Sequence, residues 1–333
     1  MEVDRMLEEV RAGGLLPTGA PVIAMLSGGR DSVCLLDLAV RALGAGEVTA
    51  LHVNYGLREG SDADERHCAA LCERLGARLE VERPLHPEGP GNLQSWARDT
   101  RYAAAARLAL SRDATIATGH TADDQIETIL YRLASSPSRR ALLGMRPRDG
   151  RLARPLLAFT RAETTAYCEE RGLAWRDDAT NAEPTYARNR VRHGLVPALE
   201  AIHPAATANV LRTAELLRDE AEVLDGLVAA ELDGPGRNTI SLERLAELSP
   251  ALRRLVVQRL ADGAAGRPIA GAARHAEEVA TLRRTGTAML DLGGGVRAIA
   301  ERGVLRAEHQ PSLADGPKTG SYVPKSARRR GPI

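Results

Sequence analysis

The sequence predicts an α/β fold: a doubly wound, mostly parallel sheet followed by a smaller, mainly helical second domain with short strands. Two observations lead to this prediction. Short apolar runs alternate with segments of helical periodicity through the first half of the chain. A glycine loop joins the first of these runs to the helix after it, as in parallel sheets that bind phosphate. With 333 residues and 44% hydrophobic side chains, the chain is large enough for two domains.

The predicted sheet domain covers residues 1–204. Its strands are expected at 22–26, 48–53, 78–81 and 115–118. Helices are expected after each strand in turn, at 32–43, 61–75, 92–111 and 121–133. The helix that Ser61 opens has acidic residues in its first turn, which complement the positive end of a helix dipole. This alternation requires crossover connections, and therefore a parallel sheet.

The rest of the chain is predicted less regularly. Residues 135–154 are rich in Ser, Pro, Gly and Arg and are expected to form a loop. A helix at 160–171 is capped by Thr160 and ended by Gly172, and another is expected at 187–202. The second domain, at 205–310, is predicted to contain helices at 205–231, 250–261 and 270–284 and strands at 287–290, 296–300 and 304–306. The basic segment 311–333 is predicted to be a disordered tail.

Composition excludes several classes of protein. No stretch approaches the roughly 20 apolar residues that a membrane helix needs, and the acidic N-terminus is unlike a secretory signal. We therefore expect a cytoplasmic protein without membrane contact. The cysteines form no C-x-x-C pair, which argues against structural zinc and disulfides and favours small buried hydrophobes. They are Cys34, Cys68, Cys72 and Cys168.

Charge is distributed unevenly although the net charge is only +1. Residues 1–130 contain 13 basic and 20 acidic side chains, whereas residues 131–193 contain 13 basic and 7 acidic ones. A basic segment beside an acidic one indicates local attraction of a polyanion. A basic surface exposed to solvent would produce the same pattern, so the charge distribution alone does not establish that a polyanion binds.

The hexapeptide at 27–32 lies between the first strand and its helix. Two glycines allow the backbone to turn so that its N–H groups point at an anion, and the helix N-terminus adds its dipole. The loop lacks the lysine of the longer G-x-x-x-x-G-K-[S/T] motif. A tight turn with a capping serine is the alternative. The residues concerned are Ser27, Gly28, Gly29, Arg30, Asp31 and Ser32.

This hexapeptide resembles the Ser-Gly-Gly-x-Asp-Ser signature of the PP-loop ATP pyrophosphatase superfamily. Further blocks resemble one of its families, the tRNA(Ile)-lysidine synthetases, over residues 20–200. The blocks are 52–58, 97–102, 119–128, 144–145, 154–157 and 188–192, with Asp178 and Asn181. Tyr55 stands where that family usually has His. We expect the chain to lack the extra terminal domain of the longer family members.

The resemblance implies an ATP-dependent ligase that uses Mg²⁺. Such an enzyme adenylates the C2 carbonyl oxygen of the wobble cytidine in an isoleucine tRNA with a CAU anticodon, and the amine of free lysine then displaces AMP to give lysidine. A homodimer is compatible with this family. The alternatives are a tRNA base thiolase, an ammonia-using synthetase, and a module that binds ATP and tRNA without catalysis.

The resemblance also implies site residues. Asp123, Asp124 and Glu127 are expected to hold Mg²⁺ or the lysine ammonium, although acidic residues favour any helix N-terminus. The predicted catalytic residues are Asp31, which also serves as a possible Mg²⁺ ligand, with Asp124, Glu127 and Arg98. Nucleotide contacts are predicted for the hexapeptide and for Val53 and Asn54, and substrate contacts for Arg58, Arg101, Asp123, Arg188 and Arg192.

Overall fold

The computed structural model describes residues 2–57, 60–86, 93–135, 139–176, 187–234 and 236–310. The chain divides into two compact units, with the boundary between Glu215 and Leu216. None of the helices in the described ranges is long and apolar enough to cross a membrane. Arg58, Asp178, Asn181 and the predicted tail at 311–333 lie outside these ranges.

The first unit contains a six-stranded sheet, which confirms the predicted fold class. Its strands are β1 (Val22–Met25), β2 (Val48–Val53), β3 (Arg78–Glu82), β4 (Thr115–Ala117), β5 (Arg148–Asp149) and β6 (Leu152–Ala153). They are arranged in the order β3-β2-β1-β4-β6-β5. All neighbouring pairs are parallel except β5 with β6. The carboxyl ends of β1, β2 and β4 therefore meet at one edge, where such sheets bind ligands.

Ten α-helices occur in the described residues up to Ala230, and the last of them crosses the boundary between the two units. They are α1 (Glu2–Ala12), α2 (Arg30–Leu43), α3 (Ser61–Leu75), α4 (Leu93–Arg112), α5 (Ala122–Ser135), α6 (Arg139–Leu142), α7 (Arg161–Glu170), α8 (Ala187–Arg190), α9 (Val196–Ile202) and α10 (Ala206–Ala230). β1 is buried on both faces: Val22 and Ala24 belong to the core that includes α2, and Ile23 and Met25 to the core that includes α4. Alternate side chains of a strand point to opposite faces, so helices must cover both.

Three sequence predictions were wrong in detail. Residues 135–154 are not all loop, because they contain α6 and the β5–β6 hairpin, which joins the sheet through Ala153 beside Ala117. A strand of two residues is too short to show the alternation of apolar and polar side chains from which strands are predicted. The helix predicted at 187–202 contains a π turn at Val191–Leu195 between α8 and α9. The helix predicted at 270–284 is shorter, a 3₁₀ turn followed by α13 (Ala276–Ala280).

The second unit contains α11 (Leu242–Glu247), α12 (Pro250–Ala265), α13 and an antiparallel sheet. The strands are β7 (Thr239–Ser241), β8 (Thr287–Gly293), β9 (Val296–Glu301) and β10 (Val304–His309), in the order β7-β10-β9-β8. Side chains of α12 and of this sheet form one core, in which Val256, Val257 and Leu260 of α12 are buried. The sequence predicted three of these strands and missed β7, which has three residues.

Candidate functional site

The glycine loop after β1 has the backbone shape of an anion site. Gly28 has φ +84°, and a Cβ there would lie 3.3 Å from the Cys68 Sγ, so this position requires glycine. Gly29 is the N-cap of α2 and has no side chain to accept from the first turn. The N–H groups of Ser32 and Val33 bond the Gly29 carbonyl, which leaves those of Arg30 and Asp31, with the helix dipole, available to an anion.

Two serines hold the loop closed. The Ser27 N–H donates to Ser32 Oγ at 3.1 Å, and the Ser32 hydroxyl donates to the Gly29 carbonyl at 2.8 Å. The two hydroxyl oxygens are 3.1 Å apart. These contacts fix the loop through its own side chains, which lowers the entropy cost of binding a ligand.

Asp31 lies in the first turn of α2 and contacts α7. Its Oδ1 accepts from the Thr164 hydroxyl at 2.6 Å and from Arg30 Nε at 3.0 Å. The turn after β4 packs closely against it, because a Cβ on Gly119 would lie 2.8 Å from the Asp31 carbonyl oxygen. The glycine of the 119–128 block is thus explained by close approach to the phosphate loop.

The end of β2 is held by its own side chains. Asn54 is buried; its Nδ2 donates to Asp62 and Glu65 at 3.0 and 2.9 Å, and its Oδ1 accepts from the Gly56 N–H at 2.9 Å. The Tyr55 hydroxyl donates to the Ala97 carbonyl at 2.6 Å, which ties this turn to α4. Tyr55 therefore has a structural role where relatives of the predicted family usually have His. The nucleotide contacts at Val53 and Asn54 stay predictions.

The three acidic residues of α5 converge on one arginine, Arg161 at the start of α7. Its guanidinium donates to Asp124 at 2.7 Å and to Glu127 at 2.8 Å. Its backbone N–H donates to Asp123 at 2.7 Å. Glu127 is only 3% exposed, so a charge partner is required there to offset its desolvation.

The arginines of the 188–192 block face the same carboxylates. Arg188 donates to Glu127 at 2.7 Å and to Asp124 at 3.0 Å, while Arg192 lies 3.9 Å from Glu127. These two residues are four apart and share a helix face. Burial by itself would raise the pKa of Asp124, but Arg161 and Arg188 hold it below its usual value.

His120 stands in the turn between β4 and α5. Its Nδ1 lies 2.8 Å from the Thr118 hydroxyl. Burial, together with the positive charges of Arg154, Arg188 and Arg98, lowers its pKa to about 4, against the opposing effect of Asp124. The imidazole is therefore neutral at physiological pH.

The first turn of α7 connects the two halves of the site. Thr164 bonds Asp31 of the phosphate loop, and Arg161, one turn earlier, bonds the carboxylates of α5. Sequence reasoning missed both residues. A signal was present for Arg161, because a cation at a helix N-terminus opposes the dipole and so implies a nearby anion.

Two further predicted arginines lie on α4. The guanidinium carbons of Arg98 and Arg101 are 4.9 and 6.0 Å from the centroid of the Tyr102 ring. The described contacts bring the loop, the acidic residues, Arg188 and Arg192 into one network. They do not connect Arg101 to it.

Comparison with known families and sequences gives consistent results. The profile of the PP-loop domain family ATP_bind_3 matches residues 3–199. A tRNA(Ile)-lysidine synthase of Thermus thermophilus is 40% identical over 294 residues, covering 86% of this chain and 56% of the relative. The corresponding protein of Symbiobacterium thermophilum is 36% identical over 346 residues, covering 94% and 70%. The chain spans 56% to 59% of the length of the first three relatives it matches.

A solved structure supports the fold alone. The U34-tRNA thiolase NcsA from Methanococcus maripaludis superposes with a TM-score of 0.54 and 20% sequence identity, covering 65% of this chain and 79% of that one. At this identity the likeness extends to the sheet architecture and not to the reaction.

Proposed function

Because this chain belongs to the PP-loop family of tRNA(Ile)-lysidine synthases, we propose that it ligates lysine to C2 of the wobble cytidine in an isoleucine tRNA with a CAU anticodon. ATP would activate the base by adenylation, and lysidine, AMP and pyrophosphate would be the products. The observation that carries the proposal is the direct link, through Thr164 and Arg161, between the phosphate loop and the acidic first turn of α5.

The first step needs an electrophilic α-phosphate. The C2 carbonyl oxygen attacks this phosphorus atom, and pyrophosphate leaves with the electron pair of the broken P–O bond. The open N–H groups at the start of α2 and the hydroxyls of Ser27 and Ser32 are suited to stabilise the negative charge that develops there.

Mg²⁺ fits this loop as a partner of ATP. The described residues contain no group of three or more His, Cys, Asp or Glu arranged to hold a metal. Mg²⁺ commonly uses one or two carboxylates together with substrate phosphates, and Asp31 provides such a carboxylate. Bound there with ATP, the ion would neutralise charge on the phosphates.

The second step needs a bound lysine. Its neutral amine attacks C2, AMP leaves with the electron pair of the broken C–O bond, and the proton from the new C–N nitrogen passes to water. We propose that Asp124 and Glu127 bind the lysine while its amine is still cationic, before deprotonation, since carboxylates favour hard cations. The lowered pKa of Asp124 makes it a better cation ligand than proton acceptor. Asp123 is held by the Arg161 N–H and would support this turn.

The tRNA would be held mainly by arginine. Arg192 has more freedom than Arg188, since Arg188 uses its Nε and Nη2 on carboxylates whereas Arg192 comes no closer than 3.9 Å to one. We propose contacts with tRNA phosphates for Arg192 and Arg101. The tRNA, ATP and lysine that the proposed reaction uses are all found in the cytoplasm, and we propose that the protein is located there. The homodimer stays a prediction that sedimentation can test.

Sulfur transfer is disfavoured by the state of the cysteines. All four are free and buried. Burial raises the pKa of Cys68 to about 12 and that of Cys72 to about 11. Thiolates are the reactive form of cysteine, so these thiols are poorly suited to carry sulfur.

Mass spectrometry of nucleosides tests the proposal. Incubation of an unmodified isoleucine tRNA with the protein, ATP and lysine should produce a lysine adduct of cytidine, dependent on all three components. Asp31→Ala should abolish the adduct, whereas Asp113→Asn, at an exposed aspartate paired with Arg151, should not. A sulfur or ammonia product, or no product with the correct tRNA, would refute the assignment.

A further inference from the structure

Three arginines beside the site have no carboxylate partner. Arg98, Arg132 and Arg154 make no ion pair in the described part of the chain, whereas Arg30, Arg161 and Arg188 all do. Arg154 is buried and Arg132 is half-buried, so their charges carry a desolvation cost that no counter-ion offsets, whereas Arg98 is exposed beside them. We call this group of three the arginine cluster.

One backbone segment holds two members of the cluster. Arg132 Nη1 donates to the Gly144 carbonyl and Arg154 Nη1 to the Arg146 carbonyl, each at 2.6 Å. The Gln125 side chain fixes the residue between them, because it accepts from the Met145 N–H at 2.6 Å and donates to the Met145 carbonyl at 2.9 Å. The two guanidiniums are thus positioned on nearby carbonyls of a rigid segment.

Gly144 is required for this arrangement. It has φ +62°, and a Cβ there would lie 2.6 Å from the Gln125 Oε1. The close approach of Gln125 to the segment, and hence the spacing of the arginines, depends on the missing side chain.

Arg154 places the cluster at the ligand edge of the sheet. It follows β6 directly, and the Thr118 N–H bonds the Ala153 carbonyl at 3.0 Å. Arg154 is therefore level with the turn that carries Gly119 and His120. Its side chain is only 8% exposed, and its Nε is buried without a hydrogen-bond partner. A buried donor without a partner costs free energy, and a ligand atom would satisfy it.

The members are close enough to affect one another electrostatically. Burial and then the charge of Arg98 lower the pKa of Arg132. Burial also lowers the pKa of Arg154, with Arg98 and Arg132 adding to this effect and Tyr102 and Asp149 opposing it. Arg161 shows the reverse, since its carboxylates raise its pKa despite burial. The cluster is a site of uncompensated positive charge.

We propose that Arg98, Arg132 and Arg154 form a phosphate-binding site of the protein, separate from the glycine loop. β6 lies beyond β4, on the opposite side of β1 from β2, so Arg154 is away from the strand predicted to face adenine. The phosphate belongs to the RNA backbone or to the released pyrophosphate. This choice of source, though not the site, rests on the proposed function.

Binding measurements distinguish the two sources. The probes are an anticodon stem-loop RNA and inorganic pyrophosphate, titrated into wild type, Arg98→Met and Arg132→Met. If the phosphate is in RNA, each variant should lose roughly tenfold in RNA affinity. The log–log salt slope should also fall by about 0.7–0.9. If the phosphate is pyrophosphate, that affinity should fall instead. Arg107→Met, an exposed residue of α4 paired with Glu82, is the matched control.

Thermal unfolding tests whether Arg154 binds the anion or only supports the structure. Arg154→Met removes repulsion but also the hydrogen bond to the Arg146 carbonyl, so without anions it should unfold close to the wild-type temperature. It should also lose the stabilisation that the bound probe confers on wild type. Unchanged binding of both probes in Arg98→Met and Arg132→Met would overturn the inference. If wild type fails to make lysidine but binding still depends on the cluster, the site stands and the proposed function falls.

Discussion

The ion pairs of Arg161 allow one prediction with a worked magnitude. Arg161→Met removes charge-assisted hydrogen bonds of 2.7 and 2.8 Å to Asp124 and Glu127. Breaking a buried ion pair costs about 3–5 kcal/mol because it leaves an uncompensated charge. Arg188 still contacts both carboxylates, so we expect the low end, about 3 kcal/mol. For a unit of this size, that lowers the unfolding temperature by about 6–12 °C.

The pH dependence of this loss gives the sharper test. In wild type the pKa of Asp124 is lowered, so its contribution to stability is present above the unfolded-state pKa and is lost as pH falls through the folded-state pKa. Without Arg161, burial is opposed mainly by Arg188, and the pKa of Asp124 should rise. Protonation then removes the uncompensated charge. The destabilisation should be largest at pH 7 and should shrink as pH falls toward about 4.

Chemical denaturation at several pH values measures this effect. Arg107→Met serves as the control, because its ion pair is exposed and should contribute below about 1 kcal/mol at every pH. Arg161→Lys should be intermediate, since an ammonium cannot bridge two carboxylates as a guanidinium does. The reasoning would be refuted if Arg161→Met were as stable as the control at pH 7, or if its loss did not change with pH.

Three further predictions concern neighbouring features. Gly119→Ala should weaken ATP binding and destabilise the fold by about 1–3 kcal/mol, because the added Cβ would lie 2.8 Å from the Asp31 carbonyl oxygen; normal ATP affinity by titration calorimetry would contradict this. The His120 ring resonances should titrate near pH 4 in NMR, not near pH 6.5, and its depressed pKa should cost stability as pH falls below about 6.5. Replacing all four cysteines by Ala should leave turnover within a few-fold if the protein folds, and a specific loss from one alone would revive sulfur transfer.

The order of strands and helices could be predicted because its signals are local. β2 and α3 were predicted with the same bounds as the structure has them, 48–53 and 61–75. Thr160 was also predicted to cap α7, and the structure adds that it forms a capping box with Glu163, three residues later. The hexapeptide was recognisable because six consecutive residues determine its turn. The short strands β5 and β6 were not predicted, because each has only two residues and the hairpin they form joins the sheet through the pairing of β6 with β4, which is distant in the chain.

Only the tertiary structure decided which charges meet. Arg161 is 34 residues from Glu127, and Thr164 is 133 residues from Asp31, so no local pattern predicts either contact. The sequence analysis could only count the arginines of the basic segment together, as positive charges. The structure divides them: Arg161 and Arg188 neutralise carboxylates, whereas Arg154 is buried without one. Coulomb energies depend on separation and burial, and both are set by how the sheet brings its strand ends together.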